Sequence, residues 1–406
     1  MRYTLAAFTV LALAAAVWGD DWPAWRGPTG QGYCNEKNVP TKWSAKENVK
    51  WKIKLAHPGY STPIVWKDKV LLTMANEGGK KRHLLCFDRA NGKELWKTDV
   101  EHAEKEQTWQ NYPYCHASPV TDGERVIVSF GSAGMHCYDL AGKELWKRTD
   151  LGSWQHIFGN ASSPIIHGDM AILWCGPNDK KGRNYLLAVD KKTGKTIWEH
   201  DEKEGSWGTP IITSIDGMEQ LVLGMGPHLK GFDPKTGKEL WLCKGITSYV
   251  YTSPLVKDSY AVAMSGYGGA GMALKVGGMG DITANRLWLH PRNNQRVGTG
   301  IIIGQHVYIL EDNGTPRCYE LDSGKDVWEV EKRPVGTNWG SLVHVDGKLY
   351  CLTRDGSTII FNASPKYEVV AINRLPGEST NSSLAISNGE IFIRTNASLY
   401  CISEKK

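Results

Sequence analysis

The sequence predicts an all-β fold, an eight-bladed β-propeller closed by its own N-terminal strand. Three observations predict it: a motif ending in Gly-Lys-x-x-Trp occurs five times, a Ser/Thr-Pro unit recurs at near-constant spacing, and the last repeat lacks a strand that the N-terminus can supply. The 406 residues are 41% hydrophobic and 22% charged, a globular balance that excludes a disordered or fibrous chain. Trp 17, Tyr 16 and Gly 44 with little helical periodicity favour one large β body over two or three mixed domains. The net charge of +5 is small and evenly spread, so nucleic acid is not expected as a partner.

In chain order, residues 1–19 read as a signal peptide: Arg2, an apolar run over 5–17, and small residues up to Gly19, with cleavage after Gly19 or Ala16. A spanning helix is the alternative, but the run is shorter than the roughly 20 apolar residues a bilayer needs. No later segment comes close, and no cysteine follows the run to carry a lipid. The protein is therefore expected to be exported, to the periplasm or beyond the cell, with no transmembrane segment after signal removal. Residues 20–46 form an N-terminal extension, and 47–406 the propeller.

The five motif copies are FDRANGKELW at 87–96, YDLAGKELW at 138–146, VDKKTGKTIW at 189–198, FDPKTGKELW at 232–241 and YELDSGKDVW at 319–328. GDITANRLW at 280–288 is a looser sixth. Upstream of each lies a small hydroxyl residue, usually Pro, then β-branched residues, as in STPIV at 61–65 and TSPLV at 252–256. From Pro63 through Pro119, Pro164, Pro210, Pro254, Gly300 and Leu342 to Leu384 the spacings are 56, 45, 46, 44, 46, 42 and 42 residues, which makes eight units. Each unit reads as four short strands joined by polar Gly turns, the pattern of a propeller blade.

The last unit ends after three strands, and ENVKWKIKL at 47–55 resembles the missing fourth, with Trp51 in the Trp slot. Pairing there would remove two open sheet edges. The repeated Trp is expected to dock on the Gly turn of the neighbouring blade and give its indole N–H to a backbone acceptor. Blade seven has only YEVV at 367–370, so its contact with the next blade is expected to be the weakest.

Nine cysteines form no CxxC pair, which removes metal knuckles and haem attachment, and no spacing calls for a metal. Cys86, Cys137, Cys318 and Cys401 share one repeat position that Ala188 and Gly231 fill in other units, so the slot demands small size rather than thiol chemistry. Cys175 and Cys351 read as packing positions, which leaves Cys34, Cys115 and Cys243 as candidates for exposure.

The aspartate-turn-Gly-Lys-x-x-Trp repeat, eight times around, resembles the pyrroloquinoline quinone (PQQ) repeat family over roughly 51–403. DWPAWRGPTGQG at 21–32 is similar to the start of many exported members of unknown role. The resemblance implies two functions: a BamB-like assembly scaffold, or a quinoprotein alcohol dehydrogenase with PQQ and calcium at one end of the channel. Against the second, the sequence has no adjacent cysteine pair, no CxxCH, and no motif on which to place the calcium-binding Glu, Asn and Asp.

A site is expected where the connections entering the innermost strands converge, since these are the least repetitive and most aromatic stretches. They carry Trp109, His116, Trp154, His156, Asn160, Trp207, Tyr251, Arg296 and Trp339, the candidate ligand-binding residues. A small-ligand pocket, a plug of large side chains and a protein-binding mouth are the three readings. The stretch KEQTWQNYPY at 105–114 is the expected lid, and the Gly-rich 265–281 reads as a long inter-strand connection of blade five. The favoured function is an exported binding or assembly scaffold, a monomer whose partner is a small ligand or another exported protein. A PQQ-dependent oxidoreductase is the alternative; no catalytic residue is assigned.

Overall fold

The structure, a computed structural model, describes residues 21–110, 112–178 and 182–404. The expected signal peptide lies outside the described residues. None of the helices among them is long and apolar enough to cross a membrane.

Eight antiparallel sheets follow one another around a central channel. Their inner strands begin at Ile64, Val120, Ile165, Ile211, Leu255, Ile301, Val343 and Ala385, each one to three residues after a predicted Ser/Thr unit. Closure is as expected: Val49–Lys54 pairs antiparallel with Ser398–Ile402, which sets Trp51 opposite Cys401.

That register explains the small slot. Cys86 faces Trp96 across the ladder, Cys137 faces Trp146, Ala188 faces Trp198 and Gly231 faces Trp241. Beside a directly opposed indole there is space for a thiol, a methyl or a hydrogen only. All nine cysteines are buried, including Cys34, Cys115 and Cys243, which corrects the expectation that these three are exposed. Burial also pushes the Cys86 and Cys137 thiols up to about 12, away from the reactive thiolate. Native protein treated with iodoacetamide should therefore show almost no modified thiol by mass spectrometry, and unfolded protein nine; any pair lost to a disulfide would contradict this packing.

Each Trp docks on the following blade. A Cβ on Gly92 would lie 2.8 Å from the Trp51 ring, one on Gly142 2.7 Å from Trp96, and one on Gly237 2.4 Å from Trp198. Only glycine lets the rings lie flat on these turns, which also need the positive φ of +76°, +85° and +69°. The indole N–H groups of Trp51, Trp96, Trp146, Trp198, Trp288 and Trp328 donate to the carbonyls of Arg89, Leu140, Lys191, Pro234, Leu321 and Ser364.

Three blades depart from the pattern. Blade five has no Gly-Lys turn; Gly280–Asp281 instead pairs in parallel with Trp241 and Leu242 of blade four, and Trp241 Nε1 donates to Gln220 Oε1 at 2.6 Å. In blade six only three strands are regular, because the fourth leaves the ladder after Asp326, although Trp328 stays buried. In blade seven the slot pair is inverted, Ile360 opposite Ala371. The expected weak contact is filled from elsewhere: Trp43 of the extension is buried in the cluster that includes Ala371, and its backbone N–H donates to Asn373 Oδ1 at 2.9 Å.

The hydroxyl residue of each unit stitches its blade to the next. Thr62 N–H donates to Ser118 Oγ, Ser118 N–H to Ser163 Oγ and Ser163 N–H to Thr209 Oγ1. Ser253 Oγ donates to the Thr209 carbonyl. The chain continues from Ser253 N–H to Thr299 Oγ1, Thr299 N–H to Ser341 Oγ, Ser341 N–H to Ser383 Oγ, and Ser383 N–H back to Thr62 Oγ1. In seven of the eight steps an inner-strand amide is satisfied by a hydroxyl of the adjoining blade, and between blades four and five a hydroxyl-to-carbonyl bond takes its place.

The extension enters the channel rather than lying outside it. Trp22 exchanges backbone hydrogen bonds with Val65 of blade one. Pro23 O accepts from Thr121 N–H of blade two. Gln31 Oε1 accepts from Val256 N–H of blade five, and the Arg26 guanidinium donates to Gly300 O of blade six at 2.7 Å. Tyr33–Cys34 then adds a parallel strand inside blade seven, beside Val343–Val345.

Candidate ligand site at the channel mouth

At the end of the channel where the inner strands begin lies a cavity of about 470 Å³, the size of a small-ligand pocket. Trp109, His116, Trp207, Tyr251, Arg296 and Trp339 line it. Of the nine predicted residues, Trp154, His156 and Asn160 do not. Trp154 is buried between blades two and three, with its Nε1 on Leu151 O. His156 stands behind the wall, edge-on to Trp207 at 4.7 Å, and Asn160 packs its amide under Gly131. The candidate loops are brought together, but these three side chains turn away from the cavity to pack against neighbouring blades and connections.

Four further rings complete the walls: Tyr60, Tyr112, Phe158 and Tyr267. Tyr112 and Phe158 stand inside stretches already singled out in the sequence. Tyr60 occupies the connection before the first Ser/Thr-Pro, where the same rule applied to HPGY at 57–60 would have found it. Tyr267 belongs to the Gly-rich stretch, whose glycines gave no hint of a wall residue; that stretch is not all connection, because Gly271–Lys275 within it forms the third strand of blade five.

Two walls differ in chemistry. On one side Trp207, Tyr251, Tyr249 and Phe158 form an aromatic cluster, with Trp207 and Tyr251 centroids 4.7 Å apart. The other adjoins it through Tyr267, 5.8 Å from Phe158 and 5.9 Å from Tyr251: Arg296 lies over Tyr267 at 4.1 Å and 5.4 Å from Trp339, whose ring also carries Arg354 at 4.2 Å. Besides this stacking, Arg296 Nη2 donates to the Tyr267 hydroxyl at 2.6 Å and its Nη1 lies 4.0 Å from Asp312 Oδ2, so the guanidinium is held in place at the cavity wall. Trp339 is fixed by its Nε1 bond to Asp312 Oδ1 at 2.7 Å. Arg394, buried near Tyr60, donates to Ser61 O and Thr73 O and has no carboxylate partner among the described residues.

His116 stacks on Tyr60 with centroids 5.2 Å apart and shares its Nδ1 with Asn160 O. Burial pulls it down to about 4, so it is neutral near pH 7 and supplies no charge to the cavity. The floor carries hydroxyls of the stitching ring, among them Thr62, Ser163 and Thr209. Over the top runs the predicted lid: Trp109 packs on Phe158 at 6.1 Å, and Tyr112 meets Trp339, three blades away around the ring, at 6.0 Å. Glu106 pins that segment through a buried 2.8 Å ion pair with Arg82.

No Asp or Glu is among the described residues lining the cavity. Calcium takes six to eight oxygen ligands, carboxylates prominent among them, so this lining does not fit a calcium ion. The metal-like grouping of His200, Glu202 and Glu239 lies on the outer strands of blades three and four, where Lys230 Nζ bonds Glu202 and Glu239 at 2.8 Å each. A flat ring bearing carboxylates, by contrast, fits the aromatic walls and Arg296.

Eight blades, seven of them carrying the repeat Trp, around a channel with an aromatic mouth define a PQQ-repeat type β-propeller. The chain belongs to the family described as outer membrane protein assembly factor BamB, whose model matches residues 36–149, 80–330 and 182–406. It is 35% identical over 102 residues to the quinoprotein ethanol dehydrogenase of Pseudomonas putida, a match covering 24% of this chain and 16% of that protein. With the quinohemoprotein alcohol dehydrogenase of Comamonas testosteroni it shares 23% identity over 247 residues, 55% of this chain and 34% of the relative. The matches thus span 16% and 34% of the length of these enzymes.

Among solved structures, BamB from Moraxella catarrhalis is similar with a TM-score of 0.61 at 15% identity, over 87% of this chain and 96% of that one. A europium-containing methanol dehydrogenase is similar with a TM-score of 0.71 at 11% identity, over 95% of this chain and 98% of that one. At these identities the likeness concerns the fold.

Proposed function

We propose that this protein is an exported binding propeller that holds a flat, anionic small molecule in the aromatic mouth of its channel, without metal-dependent redox chemistry. One observation carries the reading: a 470 Å³ cavity walled by stacked aromatic rings, with an arginine and no carboxylate among its described lining residues. The rings supply stacking area and Arg296 a charge-assisted donor. Arg354, stacked on the Trp339 ring, adds positive potential beside it. The dehydrogenase reading calls for a calcium donor set that the described lining residues do not supply; the adjacent cysteine pair of the typical enzyme is also absent from the sequence, although some PQQ enzymes lack it.

PQQ itself, a planar tricarboxylate, is the probe. Purified protein titrated with PQQ should show saturable quenching of tryptophan fluorescence, equal in calcium and in a chelator, with no reduction of an artificial acceptor when ethanol is added. Arg296→Ala should weaken binding about tenfold, the equivalent of about 1.4 kcal/mol. Binding that requires calcium, or alcohol-dependent reduction of the acceptor, would reverse the assignment in favour of the oxidoreductase. Absence of any saturable quenching would remove the site.

A further inference from the structure

The cavity is not lined by the propeller alone; Trp25, from the extension that precedes its strands, is among the lining residues. Its neighbours explain how one side chain is held on the channel axis. Trp22 is buried against blade one and Arg26 against blade six, with 1% exposure each. The carbonyl of Pro23 is held by blade two. A Cβ on Gly27 would lie 2.9 Å from the Trp22 ring, and one on Gly32 2.6 Å from Leu342 O. At φ of +78° and +83° these two glycines let the segment fold back on itself and pass close to the inner strand of blade seven. The pattern DWPAWRGPTGQG is thus a stopper anchored on both sides of Trp25.

We infer that Trp25 is a ligand-contact residue of the mouth cavity, and that ligand binding is thermodynamically coupled to docking of the 21–34 segment in the channel. This rests on reading the cavity as a ligand site. A ligand that reaches the floor touches a side chain belonging to the stopper, so each stabilises the other by the same factor. Removal of the indole opens the floor toward the channel below and removes a stacking face, while Trp22 and Arg26 still hold the segment.

The test compares parent protein, Trp25→Ala and Trp25→Phe with PQQ by isothermal titration calorimetry, and follows hydrogen exchange of the Gly27, Gly30 and Gly32 amides with and without PQQ. Trp25→Ala is expected to bind at least tenfold more weakly and Trp25→Phe to recover most of the affinity, both melting within a few degrees of the parent. Saturation with PQQ should slow exchange of those three amides in the parent and leave them unchanged in Trp25→Ala. If the parent binds and Trp25→Ala binds equally well with the amides unmoved, Trp25 is only part of the scaffold and the inference fails alone. A parent that binds nothing overturns the reading of the cavity, and this inference with it. Should Trp25→Ala fail to fold, the Phe variant and the parent's amide protection still decide.

Discussion

A chain lacking residues 1–54 is expected to lose the single cooperative unfolding transition of the intact protein. The cut exposes the edge of Ser398–Ile402, takes Trp51 off Gly92, and removes the Lys52 ion pair with Glu378 at 3.1 Å. Glu378 would then keep only the hydroxyls of Thr395, Ser398 and Tyr400. The buried Trp alone corresponds to roughly 3 to 5 kcal/mol, against a total stability of about 5 to 15 kcal/mol for a typical protein. A chain lacking only 1–46 keeps the closing strand and should still melt in one transition, at lower temperature. Thermal melts followed by circular dichroism separate the two. Equal, sharp transitions at the parent temperature in both truncations would show that the ring does not depend on Val49–Lys54.

Trp198→Ala should destabilise by roughly 3 to 5 kcal/mol in urea unfolding, the usual range for truncating a buried aromatic. The side chain is 8% exposed, donates to Pro234 O and lies flat on Gly237, with blade three behind it and blade four in front. Trp109→Ala should cost under about 1 kcal/mol, because that ring is 41% exposed at the mouth. The same Trp109 variant should weaken PQQ binding, so the two substitutions separate docking aromatics from cavity aromatics. Equal stability losses would mean that the mouth rings hold the frame together as firmly as the repeat does.

Sequence repetition made the frame readable because each blade solves the same local problem. A Trp must lie on a Gly turn, and a small residue must stand opposite it, so Cys86, Cys137, Ala188 and Gly231 could be aligned without coordinates. Where that local grammar lapses, reading stopped short. Blade seven looked deficient because its replacement, Trp43, comes from some 330 residues earlier in the chain, next to Asn373. Blade six kept its Trp328 while losing the ladder around it, a distinction that a motif does not encode.

The candidate site divides along the same line. Convergence of the connections could be inferred from their position before each Ser/Thr-Pro, and Trp109, His116, Trp207, Tyr251, Arg296 and Trp339 do meet there. Which way a loop side chain turns depends on contacts with other blades, and for that reason Trp154, His156 and Asn160 fall outside the cavity and Tyr267 falls inside it.

By itself, then, the sequence determined the number of blades, the closing strand and the docking of the Trp residues, all consequences of short-range patterns repeated at a fixed period. Only the tertiary structure decided that the Ser/Thr hydroxyls join blade to blade and that the extension runs into the channel to set Trp25 beneath the cavity. Those contacts are made between residues up to 321 positions apart, such as Ser383 N–H and Thr62 Oγ1. Their partners are chosen by closure of the ring, and no local periodicity records that choice.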